Sequence, residues 1–278
     1  MGTSSCVKNG KTVETAVFYW NHETAEKDAR LVSGLTFSSW KKYTCRHMTD
    51  FNSATSFIPE VYDDVVRQIM PFYDVIQSEI IDIVRTVKPD VKQWLDTGCG
   101  TGNLVEIALK VFPDTAFVLA DPTEKMLKAA VTRLKAFYGK RVSSLPLTPS
   151  DGLLAYKDVL KPQVITAILC HHYYKREQRR TATKVCYQLL DASGVFISVE
   201  NILPDSIRGT QLGIERWKRF QIEHGRTSIM AEKHTARFNS EFFPITVNEH
   251  IELLKGTGFQ TVELFWRSHI QAGFYAIK

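Results

Sequence analysis

The segment Asp96-Thr97-Gly98-Cys99-Gly100-Thr101-Gly102-Asn103 constrains the fold of this chain more than any other. A short apolar run (93–97) leads into it, and a helical pattern (104–111) leaves it. Glycines at such a junction let the backbone turn tightly and let a ligand approach the main chain. The free amides that open the helix favour a negative group or an acceptor oxygen. Asp121 ends the next apolar run (116–120), 19 residues after Gly102. A carboxylate there accepts hydrogen bonds from the cis hydroxyls of a ribose. Together these features predict a strand–turn–helix unit that binds a nucleoside. A dinucleotide site calls for a further glycine where Asn103-Leu104 stand. Asp96, before the loop, suits an ammonium group, so an amino-acid-bearing nucleoside fits better than a pyrophosphate.

Around this unit the chain alternates between strand-like and helix-like pieces. Apolar residues at helical spacing mark 61–69 and 75–84, broken by Pro71. Then come a helix at 124–137, a third strand region at 142–147, an apolar strand at 164–170, a helix at 176–190 and a strand at 195–199. Repeated βα units with continuously apolar strands predict a mostly parallel sheet with helices on both faces. A polar helix (208–224) is inserted after the fifth strand. A last helix (247–254), stopped by Gly256 or Gly258, precedes strands at 262–266 and 272–277. Residues 1–54 read as an appended helical cap, with a polar helical stretch at 21–30 and the aromatics Trp20, Phe37, Trp40 and Tyr43 as a lid or tether. The expected organisation is a cap over 1–54 and one domain over 55–278, with a helical insert at about 205–246.

Composition narrows the partners. With 44% hydrophobic and 23% charged residues, the chain is neither disordered, collagen-like nor a coiled coil. Its net charge of +5 permits an anionic substrate or RNA without requiring either. The basic clusters Lys175-Arg176 with Arg179-Arg180, and Arg216 with Lys218-Arg219, lack interleaved stacking aromatics. A small molecule is therefore expected rather than a nucleic acid. No apolar run approaches the ~18–20 residues that span a bilayer, and the N-terminus shows no secretory h-region. The five cysteines have no CxxC spacing, which argues against zinc and a disulfide framework and makes the cytoplasm the expected compartment. No paired-carboxylate or histidine cluster at ligand spacing calls for a metal.

The segment 96–103, together with Ala120-Asp121-Pro122-Thr123-Glu124-Lys125-Met126-Leu127, resembles the first two motifs of class I S-adenosylmethionine-dependent methyltransferases. Phe72-Tyr73, Cys170-His171-His172 and Leu254-Lys255-Gly256-Thr257-Gly258-Phe259 have counterparts there too. Within the class, residues 55–278 are most similar to the carboxy-S-adenosylmethionine synthase subgroup, which serves wobble-uridine modification in tRNA. One departure stands out. That subgroup has Cys-Ser-Leu-Gly where this chain has Cys99-Gly100-Thr101-Gly102. It also holds its extra carboxylate with a basic residue after the inserted helix, where this chain has the 233–237 stretch with Arg237. The glycine loop is that of ordinary methyltransferases, so methyl transfer is favoured over synthesis of the carboxylated cofactor.

The resemblance implies a Rossmann-like α/β fold with seven strands, the last antiparallel, and a homodimer formed through the insert. S-adenosylmethionine is the implied cofactor and S-adenosylhomocysteine its product. Asp96, Gly98, Cys99, Gly100 and Gly102 would pack against its methionyl and ribosyl parts, with Asp121 on the ribose. Pro122, Met126, Ser150, Asp151, Gly152 and Cys170 would complete the site. For Asp151 a helix N-cap is the alternative role. Tyr73 and Arg67 would clamp the methionyl carboxylate. His171 or His172 is the candidate general base, since imidazole titrates near operating pH. The alternative is that both only shape the pocket wall. Tyr173, Tyr174, Glu200, Trp217, Arg237 and Trp40 are candidate acceptor contacts. The competing functions are synthesis of the carboxylated cofactor or tRNA modification, a nicotinamide-dependent oxidoreductase, and a non-catalytic cofactor-binding protein.

Overall fold

A computed structural model describes residues 4–8, 11–15 and 59–278. Contacts divide the chain into two units, 1–47 and 48–278. In the first, β1 (Ser4–Lys8) and β2 (Lys11–Thr15) pair as an antiparallel hairpin. The helical stretch expected at 21–30, the aromatic lid with Trp40 and the remainder of the cap lie outside the described residues.

The second unit is built on seven strands: β3 (Gln93–Thr97), β4 (Ala116–Ala120), β5 (Val142–Ser144), β6 (Val164–Ile168), β7 (Val195–Asn201), β8 (Thr261–Ser268) and β9 (Gln271–Ile277). Their order across the sheet is β5-β4-β3-β6-β7-β9-β8. Strands β3 to β7 pair in parallel, and β9 runs antiparallel between β7 and β8. This is the Rossmann-like arrangement expected. The strand order reverses between β3 and β6, where open α/β sheets leave a crevice at the carboxyl ends of their strands.

The helices are α1 (Pro59–Ile69), α2 (Tyr73–Val87), α3 (Asn103–Val111), α4 (Glu124–Arg133), α5 (Arg176–Leu189), α6 (Ile207–Glu223), α7 (Ser228–Thr235) and α8 (Val247–Thr257). Successive strand residues face opposite layers. Trp94 of β3 and Val195, Ile197 and Val199 of β7 join the layer that holds Ile76, Ile80 and Val84 of α2. Leu95 and Phe196 join the opposite layer with Val185, Cys186 and Leu189 of α5 and Leu254 of α8. Burial on both faces explains why these strands read as continuous apolar runs. A third cluster, around Trp217, Phe238, Phe242 and Ile270, packs the insert against the end of α1 and the β8–β9 turn.

Where boundaries differ from expectation, the cause is local. Strand β6 stops at Ile168 rather than at 170, because Leu169 adopts φ +55° and turns the chain. Helix α4 ends at Arg133, short of 137, and the chain then turns through Gly139 at φ +72° to start β5. Helix α8 runs past Gly256 and stops at Gly258, with a capping box between Thr246 and Glu249 at its start. The short α7 has no apolar periodicity and was not anticipated.

The loop between β3 and α3 holds Gly98, Gly100 and Gly102 at φ +65°, +54° and +77°. A Cβ on Gly98 would lie 2.5 Å from Cys170 Cβ and 2.8 Å from its Sγ, so the loop passes β6 with no room for a side chain. Gly98→Ala is expected to lower the unfolding free energy by about 2–4 kcal/mol in urea titration. Gly139→Ala, where nothing lies within 4 Å of the added carbon, should lose only about 1 kcal/mol. Equal losses would show that contact with Cys170 contributes nothing.

Candidate cofactor and acceptor site

Asp121 organises the crevice. Its Oδ2 accepts the Gly100 amide at 3.0 Å and its Oδ1 the Thr123 amide at 2.7 Å. The carboxylate thus ties the end of β4 to the middle of the glycine loop. Above the loop, a Cβ on Gly100 would meet nothing nearer than Tyr62 at 3.9 Å, so the main chain there is open to a ligand. The pocket at this point is lined by Tyr62, Tyr73, Gln77, Asp96, Asn103 and the loop itself. Gln77 Oε1 and Asn103 Nδ2 are buried there without a hydrogen-bond partner. Asp96 is buried and accepts the Thr166 hydroxyl at 2.6 Å. Burial, with a smaller contribution from nearby Asp121, pushes its pKa up to about 7. Burial likewise raises Asp121 to about 6, against the two backbone bonds that favour its charge. One donor and two acceptors in a polar crevice match a zwitterionic amino-acid group.

Further along the same edge, Asp151 Oδ2 accepts from Gln178 at 3.1 Å, while its Oδ1 is buried without a partner. Met126 is buried beside this end of α4. The Ser150 hydroxyl bonds the Thr97 hydroxyl at 2.9 Å, and its amide donates to the Tyr174 hydroxyl at 3.2 Å. Gly152 belongs to the same 3-10 turn, Ser150–Tyr156. Cys170 directs its thiol at the Thr97 carbonyl, 3.4 Å away. Burial raises the thiol pKa of Cys99 and Cys170 well above normal, so both are packing groups rather than nucleophiles.

A second, more apolar pocket adjoins the first, and Tyr62 and Leu169 line both. Its walls include Tyr173, Trp217 and Phe242, with His172, His234, Asn201 and Gln271 as polar groups. The His172 amide donates to Glu200 Oε2 at 2.8 Å, and its Nδ1 lies 3.1 Å from the same oxygen. The Asn201 amide is 3.4 Å from that Nδ1. Burial alone would raise the pKa of Glu200, but the bond from His172 and neighbouring charges outweigh it and hold the carboxyl below its usual range. Glu200 is therefore ionised, the shorter contact places the proton on Nδ1, and Nε2 keeps its lone pair. Burial lowers the pKa of His172, which makes it a neutral base at pH 7.

The structure separates residues that the sequence grouped. Of the two candidate bases, only His172 lines the acceptor pocket; the tight turn at His171–Tyr173 carries His171 to the other side of β7, against Phe196. Tyr173 lines the pocket, but Tyr174 turns away to Ser150. Glu200 stands behind His172 and does not line the pocket. Arg67 does not line the cofactor pocket; it pairs with Asp74 and the Asp63 carbonyl on the outer side of α1, whose inner side presents Tyr62, Val66 and Ile69. Trp217 is both insert core and pocket wall, donating to the Ile69 carbonyl at 2.7 Å. Arg237 stacks on Phe242 at 4.5 Å and pairs with Glu241, at the margin of the pocket. Sequence reasoning missed Tyr62, Gln77, His234 and Gln271, which reach the site from four different elements. It also missed Asp63, whose carboxylate bonds Thr101 at 2.7 Å and Arg133, latching α1 to the glycine loop.

The buried imidazoles set an acid limit to stability. Burial depresses His171 to about 4 and His234 and His250 to about 3. Their unfolded forms take protons below about pH 6.5 while the folded ones do not, so stability is lost on acidification. Asp96 and Asp121 act in the opposite sense, binding protons in the folded state first. Three imidazoles against two carboxyls leave at least one proton in favour of the unfolded chain. Between pH 6 and pH 5 the unfolding free energy should fall by roughly 1.4 kcal/mol or more. Denaturant titration at several pH values measures this; stability that rises toward pH 5 would contradict the burial of these rings.

Comparison with known proteins agrees with this geometry. Residues 95–196 match the family model described as a methyltransferase domain. The chain is 25% identical to the carboxy-S-adenosyl-L-methionine synthase of Nautilia profundicola, over 80% of this chain and 92% of that protein. Its fold is similar to that of an O-methyltransferase family protein from Burkholderia thailandensis, with a TM-score of 0.54 and 13% identity, over 79% of this chain and 59% of that one. It is also similar to the structure of PigF with SAH, with a TM-score of 0.50 and 15% identity, over 80% of this chain and 67% of that one. With the glycine loop, Asp121 and the seven-stranded sheet in place, residues 95–196 form a methyltransferase domain, and the fold around it is similar to that of S-adenosylmethionine-dependent methyltransferases.

Proposed function

We propose that the protein transfers a methyl group from S-adenosylmethionine to a small-molecule acceptor held against His172, by direct in-line displacement that invokes no metal. The observation that carries this reading is the adjacency of two unlike pockets: a polar one over the glycine loop and an aromatic one beside it, sharing Tyr62 and Leu169. The residues fit the cofactor. Asp121 would take the ribose hydroxyls and Asp151 Oδ1 the adenine amino group, with Pro122 and Met126 beside the ring. Asp96 and Gln77 Oε1 would meet the ammonium, and Asn103 Nδ2 the carboxylate. When bound, the cofactor supplies an already activated methyl on a sulfonium.

The chain's own part is alignment and proton removal. Tyr173, Trp217 and Phe242 orient a flat acceptor, and close in-line placement supplies much of the rate. His172 Nε2 takes the proton of an attacking hydroxyl; an amine or thiolate would need less help. Glu200 holds the imidazole in the tautomer that leaves Nε2 free. Among the described residues no helix is long and apolar enough to cross a membrane, in keeping with a cytoplasmic enzyme. Exposed Ile207, Leu212, Ile229 and Met230 on the insert support a homodimer through that element.

A second reading, synthesis of the carboxylated cofactor, is favoured by the relatives that share most of this chain's length. In that case Arg237, which stacks on Phe242 of the second pocket, would hold the extra carboxylate. Two assays separate the readings. Mass spectrometry of the small molecule released on denaturation should show S-adenosylmethionine or its demethylated product, and the carboxylated cofactor would overturn methyl transfer. A panel of phenols, amines and thiols should then yield S-adenosylhomocysteine with at least one acceptor, and His172→Asn should slow a hydroxyl acceptor by about 100-fold or more.

A further inference from the structure

Behind β7, on the face opposite the acceptor pocket, lies a small cavity that methyl transfer does not use. It is lined by His171, Arg179, Ser198, Glu200 and His250, with Thr183 at its side. Three buried polar atoms belong to these residues and have no hydrogen-bond partner within the chain: His171 Nε2, Glu200 Oε1 and His250 Nε2. His171, Glu200 and His250 are 3%, 1% and 4% exposed. Unpaired polar atoms at such depth are strongly unfavourable unless something completes them. Three of them around one cavity point to a shared occupant.

The chemistry of the three atoms defines it. Glu200 Oε1 belongs to an ionised carboxylate and can only accept. Each neutral imidazole has one N–H, and in the Nε2–H tautomer it points that N–H into the cavity. An occupant matched to that tautomer accepts from two nitrogens and donates to one oxygen. An anion is excluded by the carboxylate. Among the described residues no three His, Cys, Asp or Glu side chains come together closely enough to hold a metal. Arg179 faces the same space, but its guanidinium bonds the carbonyls of His171 and Phe243. A water molecule accepts twice and donates twice, and meets the requirement.

We propose that one buried water, bound by His171 and His250, braces Glu200 from behind and so fixes the proton of His172 on Nδ1. This rests on the role given to His172 above. It makes His250, on α8 and remote from both pockets, a positioning residue for the base. Glu200 links the two sides of the sheet, with Oε2 toward His172 and Oε1 toward the cavity. The titratable and charged groups facing Glu200 are Cys170, His171 and His172 from the turn after β6, His250 from α8 and Arg179 from α5. Removing one donor weakens the ionised form of Glu200 and loosens its hold on Nδ1.

The test is long-range 1H–15N correlation on protein labelled at histidine nitrogens, without cofactor or acceptor. The wild-type His172 ring should be a single Nδ1–H tautomer from pH 6 to pH 8. His250→Leu should give a mixture of tautomers, or move the His172 titration by about half a pH unit or more. His250→Gln, which keeps an N–H in reach, should restore the wild-type pattern. An unchanged His172 in folded His250→Leu would overturn the proposal. If that variant does not fold, a high-resolution crystal structure of the wild type decides: density bridging the three atoms supports the water, and its absence overturns it. Because neither readout needs turnover, failure here is distinct from failure of the methyltransferase reading, which the acceptor panel tests.

Discussion

The pair of hydrogen bonds that Asp121 accepts from Gly100 and Thr123 is the constraint on which the crevice depends. Asp121 is 5% exposed, and a buried carboxylate is stable only when donors surround it. Its two donors come from different segments: the loop after β3 and the turn into α4. Satisfying one side chain therefore fixes the spacing between two βα units. The glycine loop cannot collapse onto β4, because the carboxylate stands between them, and it cannot drift away without losing a charged acceptor. The group that shapes the cradle is also the one proposed to take the ribose hydroxyls.

The opposite wall follows similar logic. Strand β7 is buried along its whole length, and Glu200 near its end is shared by both layers of the domain. One oxygen serves the acceptor pocket through His172, and the other faces a cavity on the far side. The insert closes the remaining side through Trp217, whose indole bonds the Ile69 carbonyl at the end of α1. Helix α1 in turn is held to the loop by Asp63, through Thr101 and Arg133. The acceptor pocket is thus assembled from pieces far apart in sequence, each anchored to the glycine loop or to β7.

That assembly explains what the sequence revealed. The sheet, its strand positions and the glycine-loop end of the candidate site were legible, because one contiguous motif, its following carboxylate and continuous apolar runs carry them. The acceptor end was legible only in part. The turn His171–Tyr173 breaks any simple rule for direction, so adjacent residues face opposite sides of the sheet: His172 and Tyr173 go into the pocket, His171 and Tyr174 away from it. Arg67 illustrates the same limit on a helix. Tyr62, Val66 and Ile69, spaced about a turn from one another, line the pocket, while Arg67 points outward to Asp74. Gln271 and His234 carry no local motif at all; tertiary placement alone brings them to the site.

The central claim is that the crevice over the glycine loop holds an amino-acid-bearing nucleoside, with Asp96 on the ammonium. Calorimetric titration with S-adenosylhomocysteine from pH 6 to pH 8 addresses it most directly. Asp96 has a raised pKa of about 7 in the free protein, and an ammonium ligand favours its ionised form. Affinity should therefore strengthen about tenfold from pH 6 to pH 8 and level off above, and Asp96→Asn should remove most of that dependence. Binding that ignores pH in the wild type, or a nicotinamide dinucleotide that binds more tightly than S-adenosylhomocysteine, would contradict the account.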